Sequence, residues 1–115
     1  MKRLLLIIML LLIPSLCFAQ AGIGRLPTTT IASLPDTSTE VLVDLSTVER
    51  PIKQLQIKCR TSVAIRMGFT AGDTTSNYTT IPADQTYFDN DLNFRGIIYL
   101  KSGSGAVTAE VMYWQ

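Results

Sequence analysis

The sequence predicts an all-β domain after an N-terminal signal helix: a compact antiparallel β-sandwich or jelly-roll-like fold of about 6–7 strands. Apolar and polar residues alternate with a period of two through much of residues 41–114. That period is typical of strands that bury one side and expose the other. Turn-forming residues separate the alternating segments, and after residue 19 no stretch combines helical apolar spacing with a capping residue.

The alternating segments define a predicted core. The clearest segment contains Leu55, Ile57 and Cys59, each followed or preceded by a polar residue. We expect Cys59 to be a small buried hydrophobe because it lies in the apolar row. The full predicted core consists of Val43, Leu45, Leu55, Ile57, Cys59, Val63, Ile65, Met67, Val107, Ala109 and Val111.

The C-terminal half predicts shorter strands and a closing hairpin. Short strands are predicted at 78–81 and 86–88, with polar loops at 71–77 and 89–95. Residues 97–101 and 106–114 flank a glycine-rich reversal, a pattern that favours a hairpin. In the last strand Tyr113 shares the core row, whereas Trp114 belongs to the opposite, more exposed row.

The N-terminus has the features of a cleavable export signal. Lys2 and Arg3 precede an unbroken apolar run at residues 4–13, and the small residues Ala19 and Ala21 offer cleavage sites. The apolar run is well short of the roughly 20 residues that span a bilayer, which disfavours a membrane anchor. The predicted organisation is a cleavable signal peptide at 1–19 (or 1–21), a flexible Pro/Thr-rich N-terminal arm at 20–40 and a β-sandwich domain at 41–115.

The predicted arm has two possible roles. Its large apolar residues are few and spaced, and a segment of this composition does not bury enough surface to order itself. It is therefore either a flexible leader or an extended strip that lies on another surface. Such a strip can add a strand to an open sheet edge.

Charge and cysteine content exclude several classes of protein. Removing Lys2 and Arg3 with the signal leaves 8 basic side chains against 9 acidic ones, a formal charge of −1. A near-neutral chain with no cationic run predicts no nucleic-acid partner and no attraction to an anionic membrane. Because Cys17 leaves with the signal, Cys59 has no internal disulfide partner, and the fold must depend on its core.

The sequence predicts no enzyme and no catalytic, cofactor or metal site. It contains no histidine, which removes the commonest general base and the usual zinc ligand. It also lacks a nucleophile elbow and a glycine-rich phosphate loop.

One loop carries oxygen ligands at calcium-like spacing. Asp89, Asp91 and Asn93 match the start of an EF-hand loop, but Phe94 replaces the required glycine and Leu100 replaces the bidentate glutamate. The loop therefore fails as an EF-hand, and a looser calcium site is left open.

Three segments resemble small β-sandwich structural modules of tailed phages, which are decoration or tail-associated proteins. Residues 58–69 match a polar strand, a turn and an apolar-alternating strand, and residues 81–88 match a turn with an aromatic strand. Residues 97–114 match the closing hairpin with its terminal aromatic. The resemblance covers about residues 55–114. It implies a non-enzymatic virion component that works as an oligomer.

Two functions follow as expectations. The first is an exported structural protein, a homo-oligomer that self-assembles or docks on a particle, filament or cell surface through its sandwich faces and its arm. Because a signal peptide departs from the phage pattern, a bacterial surface or filament protein is nearly as compatible with the sequence as a virion protein. The second is a secreted recognition module that binds a glycan or a protein through exposed aromatics such as Trp114. In both cases the mature chain has no transmembrane anchor, and it works in the periplasm, at the cell surface or outside the cell, or in a virion if a phage encodes it.

Overall fold

The computed structural model describes residues 26–115, which form eight strands and one short helix. The predicted signal peptide and its cleavage sites lie outside these residues. The elements are β1 (Thr28–Leu34), β2 (Val41–Asp44), β3 (Gln54–Cys59), β4 (Ile65–Gly68), α1 (Asp73–Ser76), β5 (Thr79–Ile81), β6 (Thr86–Asp89), β7 (Ile97–Ser102) and β8 (Val107–Trp114).

The strands form two four-stranded antiparallel sheets. Sheet I has the order β1-β8-β3-β6, and sheet II has the order β2-β7-β4-β5. Strands pair from the ends of the chain inwards: β1 with β8, β2 with β7, β3 with β6 and β4 with β5. The pairs β3–β8 and β4–β7 then join neighbouring strands within each sheet. This order is that of a jelly roll, so the predicted all-β sandwich is confirmed.

The core lies between the sheets and contains the predicted row. Every predicted core residue is buried apart from Val63, which is partly buried and packs at the margin. Cys59 and Tyr113 are buried as expected. The structure adds members that come from outside the clearest alternating segments, namely Ala32, Leu34, Ile52, Ile81, Ile98 and Leu100.

The predicted flexible arm contains a strand, which corrects that part of the prediction. Residues 28–34 were assigned to the arm, yet they form β1 and pair along their whole length with β8. Ala32 and Leu34 lie in the core. Threonine-rich composition indicated disorder, but β-branched threonine also favours strands, and β8 provides the pairing edge.

The predicted closing hairpin is wrong. Strands β7 and β8 are consecutive but belong to different sheets, so the glycine-rich segment between them crosses the sandwich. The Gly103 N–H donates to the Ala64 carbonyl at 2.9 Å. A Cβ at Gly103 would lie 2.8 Å from that carbonyl oxygen, so this close approach requires glycine. A period of two marks each strand but does not choose its partner.

Candidate functional site

The outer face of sheet II is partly covered by the chain itself. The β4–β5 connection, predicted as a plain polar loop, contains α1, which packs on β4 and β7. Thr74 of α1 is fully buried, and Lys101 of β7 is 5% exposed. A Cβ at Gly68 would lie 2.3 Å from the Cβ of Asp73, so the helix lies directly against the strand.

A carboxylate fixes this cover in place. Glu40, immediately before β2, accepts hydrogen bonds from the Gly72 N–H at 2.9 Å and from the Thr74 hydroxyl. The Thr74 hydroxyl, followed by the Gly72 N–H, lowers the pKa of Glu40 because both bonds favour the charged carboxylate. The Lys101 ammonium group donates to the Thr75 hydroxyl at 2.7 Å. These contacts satisfy the buried polar groups beneath α1.

The outer face of sheet I has no such cover among the described residues. Its side chains alternate with the core row along all four strands. Strand pairing arranges them in rows across the sheet. One row is Thr29, Met112, Gln56 and Phe88, the next is Ile31, Glu110, Lys58 and Thr86, and Trp114 lies opposite Gln54.

This face combines apolar and amide side chains with a charged margin. Phe88 is 56% exposed and Ile31 is 47% exposed. Met112 and Trp114 are half-buried by their neighbours. The charges lie toward one end, where Arg60 and Glu110 form a salt bridge of 2.6 Å. Aromatic and methionine side chains beside a charged margin are typical of a protein-binding surface.

The aromatic residues fall on two faces. Trp114 and Phe88 lie on the outer side of sheet I, where the sequence placed Trp114 correctly. Tyr99 lies on the outer side of sheet II. Tyr78 is 39% exposed, and the Arg66 guanidinium lies 4.7 Å from its ring centroid. The structure therefore leaves two aromatics on the uncovered face.

Sequence reasoning missed part of the sheet I face. It placed Trp114 in the row opposite the core, and Met112 belongs to the same row because both alternate with the core residues of the last strand. It did not place Ile31 or Phe88 beside them, since β1 was assigned to the arm and the partners of β6 are distant in sequence. No local signal identifies these neighbours.

Two of the three proposed calcium ligands make other contacts. The Asp89 carboxylate accepts the Asp91 N–H at 3.1 Å, an ordinary turn contact. The Asn93 side-chain oxygen accepts a hydrogen bond from the Lys53 ammonium group at 3.1 Å, a position that disfavours a cation. Within residues 26–115 no group of three or more His, Cys, Asp or Glu side chains is arranged to hold a metal. The looser calcium site therefore receives no support from the structure.

Cys59 is part of the core rather than a reactive site. Its side chain is 7% exposed, and its Sγ lies 3.4 Å from the Thr61 hydroxyl oxygen.

In the part of the chain that the structure describes, no helix has the length and apolar character needed to cross a bilayer.

The fold and the open face define a jelly-roll domain with one sheet surface free and the other partly covered by α1. No protein-family model matches the chain, and no curated protein matches it. The resemblance to phage modules thus reaches only as far as the sandwich architecture, and membership of that group stays a prediction.

Solved structures show distant similarity. RmlC from Streptococcus suis, in complex with dTDP-D-xylose, is 17% identical over 77% of this chain and 44% of that chain, with a TM-score of 0.46. This chain therefore spans less than half of that RmlC chain. Yersinia pseudotuberculosis-derived mitogen is 10% identical over 80% of this chain and 86% of that chain, with a TM-score of 0.45. A disulfide-linked pilus family from Bacillus endospore appendages is 8% identical over 77% of this chain and 87% of that chain, with a TM-score of 0.42. The fold assignment rests on the strand pairing and not on these similarities.

Proposed function

We propose that this chain is an exported, non-enzymatic structural protein that associates with copies of itself through the outer face of sheet I. The observation that carries the proposal is the unequal cover of the two sheets. The domain uses a helix, a buried lysine and a carboxylate to cover sheet II. It leaves Phe88 and Ile31 about half exposed on sheet I, whereas on sheet II the β2 edge, with Leu42, lies beyond the helix.

The exposed side chains have enough apolar surface to support association. Fully burying a large apolar side chain contributes about 1.5–3 kcal/mol. Covering the exposed halves of Phe88 and Ile31 therefore contributes on the order of 1 kcal/mol each. The charges at the margin are mixed, because Lys58 lies directly opposite Glu110. Copies of the face consequently do not repel one another through a single sign of charge.

A matched pair of substitutions tests this proposal. Phe88 on β6 and Leu42 on β2 are both apolar, both on edge strands, and 56% and 59% exposed. Sedimentation of the chain from residue 20 to 115 should show a mass above the monomer that rises with concentration. Phe88→Lys should weaken this association at least tenfold, because a charge would be buried in the contact. Leu42→Lys should leave it unchanged.

Two results would contradict the proposed assembly. The first is a wild-type chain that stays monomeric at every concentration. The second is an equal response of the Phe88→Lys and Leu42→Lys variants, which would mean that sheet I is not the contact.

A recognition role is the second candidate, and one juxtaposition favours it. Trp114 lies directly opposite Gln54, with Gln56 in the next row. An aromatic face beside amide donors and acceptors suits a sugar ring, which offers both an apolar side and hydroxyl groups. Trp114 is the single tryptophan of the chain, so its fluorescence reports on this face alone. A saturable change with added oligosaccharides, weakened by Gln54→Ala, would support recognition. A monomer with no response would exclude it.

A further inference from the structure

The sandwich has four edge strands, and β1 differs from the other three. It is seven residues long, whereas β6 and β2 have four each and β5 has three. Strand β6 carries Asp89 and β2 carries Asp44, whereas β1 has no charged residue and no proline. Charges and short length are the usual protection of an edge against pairing. The β1 edge lacks both.

One side of β1 is paired and the other is open. All seven of its residues pair with β8. No other described strand pairs with β1. Its outer main-chain N–H and C=O groups therefore form a template about 24 Å long, at about 3.4 Å per residue. Pro27 and Pro35 stand immediately before and after the strand, which limits the template to these seven residues.

The strand is complementary to itself when reversed. In an antiparallel pairing centred on Ile31, Ile31 lies opposite its own copy. Thr29 lies opposite Ser33, so that hydroxyls face hydroxyls, and Thr30 lies opposite Ala32. In each pair both side chains lie on the same side of the sheet. The side chains of Thr29, Ile31 and Ser33 point outward. Those of Thr30 and Ala32 alternate with them and point toward the core side. No position places like charges together.

We propose that two copies of this chain pair through the open edges of β1, antiparallel and centred on Ile31. This contact rests on the assembly role proposed above and adds a second contact, at the sheet edge, to the one through the face of sheet I. It joins two copies of sheet I into one continuous sheet of eight strands, four from each copy. A seven-residue antiparallel pair adds about six to eight main-chain hydrogen bonds. The contact has two-fold symmetry and closes at a dimer, so the two outer faces of sheet I become one surface.

Cysteine cross-linking tests the register. Ile31→Cys places two thiols directly opposite each other, at the separation of about 4.5–5.5 Å between Cβ atoms that cross-strand pairs have. Mild oxidation of the chain from residue 20 to 115 should then give a covalent dimer. Ser33→Cys is the matched control, because its copy would lie about 14 Å away along the strand and should not cross-link. The double variant Thr29→Cys/Ser33→Cys should cross-link, and the wild type should not, since Cys59 is buried.

Two results would overturn the proposed edge contact. One is equal cross-linking of Ile31→Cys and Ser33→Cys. The other is no cross-linking of either Ile31→Cys or the double variant.

A further variant distinguishes failure of the edge contact from failure of the contact through the face of sheet I. Thr30→Lys puts a charge on the inner side of the β1 edge and leaves the outer face unchanged. If the edge contact exists, Thr30→Lys should lower the solution mass while the circular dichroism spectrum is retained.

The two contacts can fail independently. If Phe88→Lys lowers the solution mass and Thr30→Lys does not, the contact through the face of sheet I is supported and the β1 edge contact is excluded. If Thr30→Lys lowers the mass and Phe88→Lys does not, the β1 edge contact is supported and the face contact is excluded.

Discussion

At the scale of single residues, Ile57 shows how strongly the fold depends on its core. It is fully buried on β3, where Val111 of β8 and Tyr87 of β6 flank it in the sheet. A position held by strands on both sides has little freedom to collapse when the side chain is shortened.

We expect Ile57→Ala to lower the free energy of unfolding by about 2–5 kcal/mol. Urea denaturation followed by Trp114 fluorescence measures this loss. Gln56→Ala is the control on the same strand, since Gln56 points outward, and it should cost less than about 0.5 kcal/mol. Similar losses for the two variants would contradict the assignment of the core row.

At the scale of elements, the cover of sheet II depends on Glu40. Its carboxylate bonds to Gly72 and Thr74 at the start of α1, so a single side chain connects β2 to the helix. We expect Glu40→Gln to raise the amide hydrogen exchange of residues 69–78 while sheet I keeps its protection. Glu49→Gln makes the same charge change at an exposed loop position and should have no effect. Unchanged exchange in Glu40→Gln would show that packing alone holds α1.

The same carboxylate predicts a pH dependence. The pKa of Glu40 is lowered below its ordinary value of 4.5 in the folded chain. Its contribution to stability is therefore complete above about pH 4.5 and is lost as the pH falls through the folded pKa. The difference in unfolding free energy between wild type and Glu40→Gln should be constant near neutral pH and shrink in acid. The hydrogen bonds from Ser38 and Ser46 also lower the pKa of Asp36 and Asp44, but these groups are common to both proteins and cancel in the difference.

Strand β1 determines which N-terminal truncation leaves sheet I intact. Removing residues 20–40 would delete the edge strand of sheet I and leave the β8 edge bare. A truncation that begins at residue 27 keeps the whole of β1 and tests the preceding segment alone. Residues 28–34 of the predicted arm pair with β8 of their own chain.

At the scale of the whole molecule, export remains a prediction from the N-terminal sequence. We expect the exported protein to begin at residue 20 or residue 22, because Ala19 and Ala21 offer the cleavage sites. Intact-mass measurement of protein recovered outside the cytoplasm checks this. A chain in the membrane fraction that keeps residues 1–16 would contradict export by a cleaved signal.

The alternation of residue types by itself determined which side chains face the core. Leu55, Ile57 and Cys59 are buried because every second side chain of a strand points to the same side, whichever strand lies beside it. The same argument placed Tyr113 inward and Trp114 outward. The local period of two was enough to predict the fold class and the central core residues.

Only the tertiary structure decided which strands are neighbours and which face is free. Thr28 pairs with Tyr113, and Ile52 with Phe94, across long stretches of sequence that carry no local sign of the pairing. The closing hairpin was wrong for this reason, since β7 and β8 have the expected alternation but lie in different sheets. The partial cover of sheet II likewise depends on where α1 folds, and Glu40 contacts that helix from a distant part of the sequence. Periodicity is a property of each strand alone, whereas pairing and cover are properties of contacts between distant segments.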